Sequence, residues 1–167
     1  IPLPDGKCTG LLVDNAMNPV FEKIPAFPEK EMTAAIQEIQ EELFQYGITS
    51  VHEAGINFKD IALFKKMIDS KQLSLELYAM LYPSKENIAF ASKNKIFKYK
   101  NLSIRSFKVM GDGALGSRGA CLKHAYSDQP GHFGVLTTSA VRLKEIASIS
   151  ESLGYQMNTH AIGDSTN

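Results

Sequence analysis

Tryptophan is absent from the 167 residues, and cysteine occurs only twice, at Cys8 and Cys121. Two cysteines cannot build a disulfide framework or a zinc finger. Their scarcity is compatible with a reducing compartment, so a cytoplasmic location is the expectation. An excess of charge is lacking too: eighteen Lys and Arg balance eighteen Asp and Glu. A nucleic-acid or membrane-surface binder needs a basic excess, so neither partner is expected. No apolar run reaches the roughly 18 residues of a membrane-crossing helix. Low-complexity tracts and heptad runs are missing as well. What remains, at 44% hydrophobic and 22% charged, is the composition of a globular domain or a large piece of one.

The chain opens Ile1-Pro2-Leu3-Pro4 without Met or a signal-peptide pattern, and it ends just after a strand-like run. An excised piece of a longer protein is therefore expected. Residues 1–28 are rich in Pro and Gly and read as a connecting segment, with Leu11-Leu12-Val13 as a possible short strand. Residues 29–167 read as one domain of alternating helices and strands. Met32, Ile36, Ile39, Leu43 and Tyr46 recur at helical spacing, with Glu29 and Glu31 in the first turn and Gly47 as the stop. Ile48 to Ala54 predicts a strand. Asn57 and Asp60 predict an N-terminal cap for a helix running to Lys71. Further strands are predicted at 73–82, 102–110 and 155–161, and further helices at 84–93 and 138–153.

Helix and strand alternate, and the first strands are spaced by about 27 and 29 residues, the size of one βα unit. Such alternation implies a parallel sheet with right-handed crossovers. Side chains alternate across each strand. Leu75, Leu77, Ala79 and Leu81 share a face opposite Glu76, Tyr78 and Met80. Phe107 and Val109 oppose Ser106, Lys108 and Met110, and Tyr155, Met157 and Thr159 oppose Gln156, Asn158 and His160. Val51 opposes Ser50 and His52.

Each strand thus has one apolar face and one polar face, with ionisable groups toward the C-terminal ends. A doubly wound sheet is covered by helices on both faces and needs both apolar. A barrel covers only the outer face and places its active site at the C-terminal strand ends. The expected fold is therefore α/β, a partial (β/α)8 barrel, since four strands cannot close one.

His160 is either a hydrogen-bonded structural residue or a metal ligand, because neutral imidazole binds divalent ions such as zinc. Lys108 is either salt-bridged or chemically employed: its amine can react with carbon dioxide to give a carbamate that bridges two metals. His52 and Glu53 are weaker candidates of the same kind. His124 and His132 lie in a long Gly-rich loop, residues 111–136, and are expected to be exposed. Gly111, Gly113 and Gly116 form a G-x-G-x-x-G, but no amphipathic helix opens at Gly116, so the dinucleotide signal is weak. A flexible loop over a site is the better reading. Within it, Asp112 serves the site or caps a turn, and Arg118 grips a substrate anion or makes a surface salt bridge.

The run Lys108-Val109-Met110-Gly111-Asp112-Gly113-Ala114-Leu115-Gly116-Ser117-Arg118 closely resembles the fourth-strand motif of the amidohydrolase 3 family. That family belongs to the amidohydrolase superfamily and includes N-substituted formamide deformylases. His160-Ala161-Ile162-Gly163-Asp164 resembles its fifth-strand motif. The stretch from Gly47 to Gly55 resembles its second-strand segment, with Glu53 where Asp is more usual. Asp5-Gly6-Lys7-Cys8-Thr9-Gly10-Leu11-Leu12 resembles the turn that precedes these segments.

The resemblance implies strands 2 to 5 of the barrel and a metal-dependent hydrolase acting on non-peptide carbon–nitrogen bonds of a small-molecule amide. It implies Lys108 and His160 as ligands of a divalent metal, zinc by expectation. The remaining ligands and a general-base Asp are implied to lie outside this chain. A catalytic zinc site usually needs three protein ligands, so this chain alone is expected to be inactive. Two other readings stay open: a non-catalytic barrel relative that binds, and a nicotinamide-dependent enzyme using the Gly-rich loop. Unpaired sheet edges invite pairing with another chain, so a homodimer through exposed barrel edges is a further expectation.

Overall fold

The structure, a computed structural model, describes residues 5–7 and 9–167. Cys8, and with it part of the expected Asp5–Leu12 turn, lies outside the described residues. The chain divides into two compact units whose boundaries do not follow chain order. One comprises residues 1–26, 110–140 and 160–167; the other comprises residues 27–109 and 141–159.

The second unit carries the sheet. Its elements are α2 (Glu29–Gln45), β1 (Ser50–Ile56), α3 (Phe58–Asp69), β2 (Glu76–Leu81), α4 (Lys85–Asn94) and β3 (Phe97–Tyr99), then β4 (Leu102–Met110), α5 (Ala140–Leu153) and β5 (Gln156–His160), of which the terminal residues Met110, Ala140 and His160 fall in the first unit. The short α1 (Asn18–Phe21) belongs to the first unit. β1 pairs parallel with β2, and β2 parallel with β4. β5 pairs with β4. This is an α/β fold with a parallel sheet of alternating strands and helices, compatible with part of a (β/α)8 barrel.

Local signals place most of these elements. α2 starts at Pro28, carries Glu29 and Glu31 in its first turn, and ends at Gly47 (φ 74°). There Ile48 N–H bonds to the Leu43 carbonyl and Gly47 N–H to the Phe44 carbonyl, each at 3.0 Å, which is the Schellman arrangement. Asn57 and Asp60 form a complete capping box on α3. The Ser84 side chain accepts the Asn87 N–H at 3.2 Å to cap α4. Among the described residues no helix is long and apolar enough to cross a membrane.

The core lies on one face of the sheet. Leu77, Ala79 and Leu81 of β2 and Leu102, Ile104, Phe107 and Val109 of β4 are buried there. Ile61, Met67 and Ile68 of α3, Ala91 of α4 and Ile146 of α5 join them in one cluster. Fully burying such a side chain is worth roughly 1.5–3 kcal/mol. Phe107 packs on Tyr155 with ring centroids 5.1 Å apart.

Four expectations change. Residues 11–13 form no strand. The chain turns at Asp14 (φ 50°) into a short 3-10 helix, Asp14–Met17, and then α1, which carries Pro in its first turn. The strand predicted from residue 73 begins only at Glu76. Upstream, side chains satisfy the backbone instead of a neighbouring strand. Gln40 Oε1 accepts the N–H groups of Ser74 (2.6 Å) and Leu75 (3.2 Å), and Asn101 donates to the Leu75 carbonyl at 2.6 Å.

The third change is β3, a three-residue strand antiparallel to β4, with Phe97 opposite Ile104 and Tyr99 opposite Leu102. Three residues carry too little alternation to be read from sequence. The fourth is a bulge. Ala79 pairs with Ile104 and Leu81 with Phe107, so β4 has one residue more than β2 over this stretch. Ser106 falls there and is fully buried, not on the polar face with Lys108.

Candidate functional site

The face of the sheet opposite the core is polar. Cross-strand pairing sets His52 beside Tyr78, Tyr78 beside Ser103, and Ser103 beside Lys98 in one row. The His52 and Tyr78 rings lie 4.7 Å apart, tilted by 56°. The Arg105 guanidinium sits 5.5 Å from the Tyr78 ring centre, a cation–π contact. Simple alternation identified His52 and Tyr78 as sharing this side. It gave no sign of the Arg105 stack, which depends on β2 and β4 being neighbours.

Lys108 is half-buried near the C-terminal end of β4, and His160 is half-buried as the last residue of β5. Among the described residues neither side chain has a hydrogen-bond or ion-pair partner. Glu53 is exposed on β1 and pairs with Ala79. It borders an apolar cavity of about 310 Å³ lined by α2, β1 and α3 residues.

The first unit contains the Gly-rich loop. Gly111, Asp112, Gly113, Gly119, Ala120 and Tyr126 are all buried. Gly113 N–H bonds to the Gly119 carbonyl at 3.2 Å, so the loop folds back on itself. A turn, not a helix, follows Gly116. The feature that gives a dinucleotide fingerprint its phosphate site is therefore missing. The expected flexible loop is instead densely hydrogen-bonded.

Asp112 is the centre of that bonding and is fully buried. Its Oδ2 accepts the N–H of Cys121 (2.9 Å), the N–H of Gly163 (2.8 Å) and the hydroxyl of Thr166 (2.7 Å). Its Oδ1 accepts the N–H of Ile162 at 3.0 Å. Burial alone would raise the carboxyl pKa. The donors from Ile162, Thr166, Cys121 and Gly163 outweigh it and hold the pKa at about 2. Protein groups thus occupy both carboxylate oxygens. Gly163 fits because it lacks a Cβ, which would run into the Cys121 backbone.

Arg118 pairs with Asp128, its terminal nitrogen 2.9 Å from the carboxylate. The pairing raises the Arg118 pKa and lowers that of Asp128. His124 is exposed, as expected, but His132 is half-buried. Its Nε2 donates to the Arg118 carbonyl at 2.8 Å, which draws the ring inward. Thr166 was missed from sequence. It sits in an Asp-Ser-Thr-Asn run that signals a local turn and nothing about residue 112.

A metal site can be tested against these donors. Lys108 supplies an amine, or a carbamate oxygen after reaction with carbon dioxide, and His160 supplies an imidazole nitrogen. Both are half-buried at strand ends and unengaged among the described residues. Each by its own chemistry suits a divalent ion. Among the described residues no three His, Cys, Asp or Glu side chains gather into a metal-holding group.

Residues 3–167 match the Amidohydrolase family, and the chain belongs to it. Among curated relatives, Protein LONG AFTER FAR-RED 3 of Arabidopsis thaliana is 25% identical over 99% of this chain and 30% of its own length. The putative amidohydrolase YtcJ of Bacillus subtilis (strain 168) is 23% identical over 96% of this chain and 31% of its own.

Two solved structures share the fold. An uncharacterized metal-dependent hydrolase from Pyrococcus furiosus superposes with a TM-score of 0.78 at 27% identity, over 90% of this chain and 32% of that one. Another from Pyrococcus horikoshii OT3 gives 0.77 at 28% identity, over 90% and 31%. The chain thus spans about a third of the length of the relatives it matches.

Proposed function

We propose that the complete protein is a metal-dependent hydrolase of non-peptide carbon–nitrogen bonds in small-molecule amides, with Lys108 and His160 among its metal ligands. The observation that carries this is the family match over residues 3–167, joined to two unengaged donor side chains at the ends of β4 and β5. The metal-dependent hydrolases among the structural neighbours support the divalent ion, and zinc is the ion to test first. In this reading β1, β2, β4 and β5 are the second to fifth strands of a (β/α)8 barrel. The face bearing His52, Tyr78 and Arg105 lines its interior.

A bound divalent ion supplies two things: it lowers the pKa of water, and it polarises a carbonyl. The residues of this chain hold and orient. His160 donates a ring nitrogen in its neutral form, and Lys108 donates through its amine or through a carbamate made from it. The general base is an Asp beyond the present chain.

The test is metal analysis of the complete protein with hydrolysis of a panel of formamides and other amides. Lys108→Ala and His160→Ala should each lose bound metal. Activity should drop by more than the roughly 10–100-fold that losing an outer-shell partner causes. Wild-type metal content and turnover in both variants would refute the assignment.

A further inference from the structure

We infer that Asp112 is the positioning residue for His160: its carboxylate fixes the backbone on the far side of that histidine and so aims the imidazole. The inference deepens the proposed metal reading and rests on it. The backbone at and just after His160 is held by the two residues that follow β4. On its own carbonyl His160 accepts the Gly111 N–H at 2.8 Å. Two and three residues beyond it, the Ile162 and Gly163 N–H groups bond to Asp112 at 3.0 and 2.8 Å. The adjacent pair Gly111-Asp112 therefore clamps residues 160–163 by three hydrogen bonds.

Two further bonds from the carboxylate, to Cys121 N–H and the Thr166 hydroxyl, fix the clamp itself. Cys121 in turn accepts the Ser165 N–H at 3.1 Å on its carbonyl. The loop and the chain after β5 are thus tied at several points around Asp112. A side chain at the end of a short strand has few other constraints. Orientation of a ligand by bonds outside the ligand set is a general feature of metal sites. Here the bonds act through the backbone next to the histidine, not through its ring.

The test uses the complete protein, loaded with cobalt(II) as probe. Its absorption spectrum reports ligand geometry, and chelator competition gives the dissociation constant. Asp112→Asn keeps the shape but turns one acceptor into a donor facing N–H groups. It should weaken cobalt binding by about 10–100-fold and alter the spectrum. Thr166→Val removes one of the four donors and should give a smaller loss of the same kind. It remains informative where the Asp112 variants fail to fold.

Asn57→Ala lowers stability in the other unit and controls for that effect. It should leave cobalt affinity and spectrum unchanged. A folded Asp112→Asn protein with the wild-type spectrum and affinity would overturn the positioning role. So would wild-type binding in Thr166→Val where the Asp112 variants do not fold. His160→Ala separates the two levels. If it loses cobalt while Asp112→Asn does not, only the positioning role falls. If it binds cobalt like the wild type, the metal reading falls and the inference goes with it.

Discussion

In the sheet unit, Leu81, Leu102, Ile104 and Phe107 are completely buried and meet other apolar side chains. In the loop unit, the completely buried side chains include a carboxylate, Asp112, whose neighbours are N–H and O–H donors. The sheet unit draws on non-directional burial, which tolerates changes of partner so long as volume is kept. The loop unit draws on directional bonds to one charge, which tolerate almost no change of partner. The proposed ligands stand at or near the ends of β4 and β5, and the polar loop follows directly on the end of β4. A volume change should therefore damage the sheet unit most, and a charge change the loop unit.

The largest expected effect is in the core. Phe107→Ala should cost about 3–5 kcal/mol, because Phe107 is fully buried and its ring packs on Tyr155. Urea unfolding measures this. A loss near zero would mean that burial on the sheet is not what holds this unit.

Next is acid. The Asp112 pKa, about 2, lies below the ordinary value of 3.8. A depressed carboxylate contributes stability that is fully present above the ordinary value and is lost as pH falls through the folded one. Nearly two units of depression amount to about 2 kcal/mol, removed between about pH 4 and pH 2. Asp112→Asn should abolish that part of the pH dependence and be less stable at neutral pH. Unfolding curves across this range check both, and an unchanged acid profile would count against the charge-centred account of the loop.

A smaller effect is expected at a local signal in the sheet unit. Asn57→Ala removes the α3 cap and should cost about 1 kcal/mol by the same unfolding measurement. The smallest is at the loop surface. Arg118→Ala breaks a solvent-exposed ion pair with Asp128, and no measurable loss of stability is expected. A clear loss would show that the loop unit depends on more of its charges than Asp112.

Much of the fold was legible. The helical period and Glu-rich start of α2, the Asn57–Asp60 box and the alternation in β2 all operate within a few residues. The structure keeps each of them. β3 and the bulge at Ser106 were not legible, because a three-residue strand has no period and an extra residue shows only against a partner strand. For the candidate site, strand-end position drew attention to Lys108 and His160 from the sequence. For Asp112 and Arg118, sequence offered two readings each; in the structure four donors bond Asp112, and Arg118 pairs with Asp128.

Most local order was settled by the sequence itself: where the longer helices and strands lie, and which face of β2 turns inward. Caps, turns and side-chain period act over a turn of helix or a few strand positions, and such short-range physics needs no knowledge of the rest of the chain. The bonding of Asp112 was decided only by the tertiary structure. Its four donors lie 9, 50, 51 and 54 residues away along the chain. Nothing in the residues beside Asp112 marks those partners. A buried carboxylate stays charged only where several donors converge on it, and that convergence exists once β4 and β5 have brought their following segments together.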